Sequence, residues 1–109
     1  MNDQTPIVIH TTLPDLASAS SIAVMLVEKH LVACVQVIPG LTSYYYWHNH
    51  LNSSPEYLLQ IKTVSKFYEG VRVAILEMHP YDVPEIIAFE VKHANQEFLD
   101  WMKEVMPEA

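Results

Sequence analysis

Residues 34–63 read CVQVIPGLTSYYYWHNHLNSSPEYLLQIKT. They describe two strands joined by a polar connection. The first strand starts near Val32 or Ala33, Pro39-Gly40 interrupts it, and Tyr44, Tyr45, Tyr46 and Trp47 close it. A straight strand from Cys34 to His48 would span roughly 50 Å at about 3.3 Å per residue. A compact chain of this size has a radius of gyration of only about 13 Å. The strand must therefore bend, overhang the domain, or do both. Four large aromatic residues on an overhanging hairpin need a surface to cover them, and a second copy of the chain is the expected one.

Working outward, Asn49 sits between His48 and His50, where an αL-tolerant residue suits a tight connection. Residues 51–55 read as loop or as a frayed continuation of the hairpin. Residues 57–63 alternate, with Tyr57, Leu59 and Ile61 on one side and Gln60 and Lys62 on the other. Upstream, Pro6-Ile7-Val8-Ile9-His10-Thr11-Thr12 is a β-branched run that predicts a strand with His10 opposite Ile7 and Ile9. Pro14-Asp15 supplies a turn and a cap for a helix over residues 16–30, carried by Ala19, Ile22, Ala23, Leu26 and Val27.

Downstream, Ser65 is placed to cap a second helix through Phe67, Val71, Ala74 or Ile75, and Met78. That helix ends at His79, because Pro80 disfavours α geometry in the residue before it. Residues 86–91 predict a strand. Asn95 opens a short last helix with Phe98, Trp101 or Met102, and Val105 along one side. The order is β-α-β-β-α-β plus a terminal helix. This predicts one α+β domain over residues 1–109, core about 7–102, with the ferredoxin-like split βαβ arrangement. Two helices cover one face of a four-stranded antiparallel sheet. The other face is left bare, and assembly into an oligomer covers it.

The 109 residues carry six basic and thirteen acidic side chains, a formal charge of −7. That balance argues against nucleic acid and anionic membrane surfaces as partners, which require clustered Lys and Arg, and favours cations. Cys34 is the only cysteine, so neither an intrachain disulfide nor a cysteine-rich metal site can form. The sequence MNDQTP has no basic region followed by an apolar run, and no stretch reaches membrane-spanning length. A cytoplasmic protein is expected.

Several short motifs occur in order: Ala33-Cys34-Val35, Ile38-Pro39-Gly40, Ser43-x-Tyr45-x-Trp47, Ile61-Lys62-Thr63, His79-Pro80-Tyr81, Pro84-Glu85-Ile86 and Leu99-x-Trp101. Together they resemble the CutA family, the divalent-cation tolerance proteins. The resemblance implies a ferredoxin-like subunit, a tight homotrimer in which the long hairpin joins neighbouring sheets, and a cytoplasmic role linked to copper tolerance. The chain departs from the usual pattern at Asn49 and Ala94, where Gly is common, and at His50, where Lys is common. A copper site proposed in some members uses one Cys and two His. Thr11, Met78 and His79 stand at those positions, so only the histidine is retained.

His79 is the first metal candidate. At a helix C-terminus a protonated imidazole also interacts favourably with the helix dipole, and as a ligand it needs partners from His10, Met78, Glu85 or a neighbouring subunit. His48 and His50, two residues apart, chelate Cu(II), Ni(II) or Zn(II) if they share a strand face, and lose that geometry if they flank a tight turn. Cys34 reads as an inert thiol at the start of a core strand. Tyr44, Tyr45, Tyr46 and Trp47 read as a trimer interface rather than a base-stacking platform, since no basic residues are interleaved. Lys62, Tyr81 and Glu85 fall within the motifs and are candidates to line an intersubunit cleft.

The expectation is a non-enzymatic homotrimer needing no cofactor, with Cu(II) or another divalent cation as its candidate ligand. The rival is a PII-like trimeric signalling protein binding a nucleotide or other small molecule between subunits. That rival lacks a Gly-rich loop here, because Gly40 and Gly70 are the only glycines.

Overall fold

The computed structural model describes residues 2–109. Four strands, β1 (Pro6–Leu13), β2 (Cys34–Trp47), β3 (His50–Val64) and β4 (Ile87–Glu90), form one sheet in the order β2-β3-β1-β4. Every neighbouring pair is antiparallel. With helices α1 (Leu16–Glu28) and α2 (Tyr68–Met78), this is the predicted ferredoxin-like arrangement, and α3 (Gln96–Val105) follows it.

One sheet face carries the main core. Ile7, Ile9 and Leu13 of β1 and Leu59 and Ile61 of β3 meet Ala19, Ile22 and Leu26 of α1 and Val71, Ala74 and Ile75 of α2. These are the positions that period-2 and helical spacing place on facing surfaces. A second cluster lies under α3, where Met102 and Met106 meet Ala33 and Val64. Thr63 links the two, donating to Leu31 O at 2.7 Å beside the Met106 sulfur.

Helix ends differ from the expectation in instructive ways. Asp15 caps α1 as expected, accepting from Ser18 N at 2.7 Å. The helix stops at Glu28 rather than His30, because His30 adopts φ 58°. The His30 N–H bonds Val27 O and the Leu31 N–H bonds Leu26 O, a Schellman closure with a histidine in the left-handed position. Residues 65–67 form a 3₁₀ turn before α2, so Phe67, not Ser65, holds the cap position of that helix.

The hairpin bends and also overhangs. Ile38 pairs with Leu58 and Leu41 with Glu56, so two residues of β2, Pro39 and Gly40, oppose the single Tyr57. Gly40 has φ +85°, a backbone state that suits glycine, and Pro39 has no N–H to lose at the interruption. The extra residue also reverses the facing of β2. Val35 and Val37 pair with Ile61 and Leu59 on the helix-covered face, whereas Leu41, Ser43 and Tyr45 pair with Glu56, Ser54 and Asn52 on the opposite one. Residues 51–55 are strand throughout, which settles the alternatives left by the sequence.

β1 pairs with β3 only from Tyr57 to Val64. The seven residues from His50 to Glu56 thus have β2 as their only strand partner, an overhang of about 23 Å. The molecule is accordingly elongated, 45 × 26 × 23 Å.

One core atom is unsatisfied. Thr11 is fully buried, and its hydroxyl finds no hydrogen-bond partner among the described residues. A buried unpaired hydroxyl costs about 1–3 kcal/mol. Thr11→Val should therefore stabilise the protein by about 1 kcal/mol, read as a higher urea midpoint at fixed protein concentration with unchanged slope. A lower midpoint would show that the hydroxyl has a partner.

Candidate functional site

A cleft of about 700 Å³ opens between the root of the hairpin and the loop after α2. Glu56 stands in its wall, 7% exposed. Ser43 Oγ donates to Glu56 Oε1 at 2.5 Å, and Tyr81 Oη donates to Oε2 at 2.6 Å. Both carboxylate oxygens are thus held by hydroxyls from different parts of the chain. Ser43 points at Glu56 because the Pro39-Gly40 bulge turns odd-numbered β2 residues toward this face. Burial raises the Tyr81 phenol above its ordinary range, and the Glu56 bond and charge add to the effect.

Tyr81 is set by His79. The Tyr81 N–H donates to His79 Nδ1 at 3.2 Å, and the two rings lie 4.9 Å apart. Nδ1 is therefore an acceptor, so Nε2 carries the proton and donates to Thr12 O at 2.8 Å. Burial of the ring lowers the His79 pKa, outweighing the Thr12 bond and the Glu56 charge, which pull the other way. The imidazole is neutral and joins the loop to β1. The expected protonated histidine at a helix dipole is corrected by this environment, since a protonated ring could not accept the Tyr81 N–H.

Both His79 nitrogens are thus engaged. His10 rests edge-on against Phe89 at 5.1 Å, and Met78 is exposed on α2. Among the described residues, no three His, Cys, Asp or Glu side chains converge as a metal cage would require. At the hairpin tip His48 and Asn49 have φ 53° and 64°, and Trp47 pairs with His50, which is a two-residue type I′ turn. His48 is therefore inside the turn, while His50 begins β3. They do not share a strand face, and His48 lies edge-on to Trp47 at 5.2 Å.

Tyr45, Trp47, Tyr81 and Glu85 all reach the cleft. Lys62 does not join them within one subunit. It pairs with Cys34 and Val8 six residues along β3 from Glu56, about 20 Å away, with its ammonium 5.7 Å from the Phe98 ring. Cys34, partly buried, lies beside it.

Glu56, the residue that organises the cleft, is missed by pattern reading, as are Thr12 and Asp82. Its partners lie 13 and 25 residues away, beyond any local periodicity. The available signal was that Glu56 is the lone acid of β3.

A family model described as "CutA1 divalent ion tolerance protein" matches residues 7–105. The chain belongs to the CutA1 family. It is 40% identical over 97 residues to the divalent-cation tolerance protein CutA of Thermus thermophilus, covering 89% of this chain and 94% of that one. It is 38% identical over 94 residues to human Protein CutA, covering 86% of this chain and 52% of that protein. The chain thus spans nearly the whole bacterial relative but about half of the human one. Among solved CutA1 structures, that from Oryza sativa superposes with a TM-score of 0.92 at 32% identity, over 97% of this chain and 99% of that one. The Thermus thermophilus structure gives 0.87 at 39% identity, over 91% and 96%.

In this chain a polar tie runs from the hairpin root to the post-α2 loop. Tyr81→Phe leaves a buried carboxylate oxygen of Glu56 without its donor and should destabilise the protein by about 1–3 kcal/mol. Denaturation at fixed protein concentration measures this. A change under about 0.5 kcal/mol, the usual range for inert surface sites, would contradict the tie.

Proposed function

We propose that this CutA1-family protein works as a non-catalytic homotrimer in the cytoplasm, contributing to divalent-cation tolerance with only weak direct association with Cu(II) or a similar ion. The observation that carries the reading is the amount of uncovered apolar surface. On the sheet face away from α1 and α2, Ile87 and Phe89 are 44% and 49% exposed. On the hairpin, Tyr44, Tyr46 and Leu51 are 74%, 75% and 67% exposed. Tyr46 and Leu51 are direct cross-strand partners, so they form one continuous patch. An isolated two-stranded hairpin is marginal in water, and exposed apolar patches of this kind are typical of interfaces. Further copies of the chain supply the cover.

Other features agree with the remaining parts of the proposal. A neutral His79 with both nitrogens engaged is not poised as a general base, which favours a role without catalysis. Exposed His48 and His50 offer imidazoles for weak Cu(II) association at the tip. A single unpaired Cys34 is compatible with a reducing compartment. The PII-like alternative loses ground, because the cleft lining contains no Lys, Arg or His to meet a phosphate.

Tyr45→Glu places a charge on the hairpin arm and should convert a trimer into monomers by light scattering at micromolar concentration. A wild-type monomer, or a variant that stays trimeric, would sink the reading. In equilibrium dialysis, weak Cu(II) uptake should disappear in the His48→Ala/His50→Ala variant, and unchanged uptake would remove the tip as its site.

A further inference from the structure

We draw no further inference here: the strongest candidate, the outer surface of α1 and α2 where Leu16, Val24, Val27, Val73 and Leu76 stand exposed away from the hairpin and the bare sheet face, carries nothing because nothing in the structure shows what covers it.

Discussion

A buried carboxylate with a hydroxyl on each oxygen fixes how this molecule is put together. Glu56 is the point where the hairpin leaves the four-stranded sheet. Toward Val64, β3 is flanked by β1 and β2; toward His50, it has β2 alone. Ser43 ties Glu56 to the opposing strand, and Tyr81 ties it to the loop after α2. A carboxylate out of water is costly unless its lone pairs are met, so the two donors and the acid hold one another in place. His79 extends the tie to the Thr12 carbonyl of β1. The overhang is thereby braced by polar contacts at its base, where the hydrophobic core no longer reaches.

The same bracing explains why a small domain can present so much apolar surface without wrapping it on itself. The Pro39-Gly40 bulge turns Ser43, Tyr45 and Trp47 toward the cleft and leaves Tyr44 and Tyr46 on the other side. A flexible arm bearing these residues would collapse onto its own sheet. A braced arm presents them to another molecule, which is the economy expected when a hydrophobic surface is reserved for assembly. Membership of the CutA1 family sets the biological frame, divalent-cation tolerance. The interior chemistry adds that His79 and Thr11 serve the fold, one as a neutral link between loop and strand, the other as a core residue with an unmet hydroxyl.

Most of the fold was legible because its signals are local. Ile7 and Ile9, Leu59 and Ile61, and Ile22 and Leu26 declare their faces by spacing, and Pro39-Gly40 announces the interruption of β2. The end of α1 was less legible, since a histidine is an uncommon residue for a left-handed cap, and His30 occupies it. The tip shows the same limit. Asn49 signalled the turn, but nothing in the spacing said that His48 would share its left-handed backbone and so lose a common face with His50. The cleft was legible only in part. Tyr81 and Glu85 came from motifs, while Glu56 depends on pairings that register and tertiary placement create. Lys62 fell in a motif yet sits far from the other two, because position within a motif does not state which end of a long strand faces a cleft.

The central claim is that the hairpin beyond Glu56 is held and covered, not a free arm. Amide hydrogen exchange of the native protein at micromolar concentration tests it most directly. Covered strands give residues 44–53 protection approaching that of β1 in the core. Fast exchange across residues 44–53, with β1 still protected, would show a bare hairpin and contradict the account.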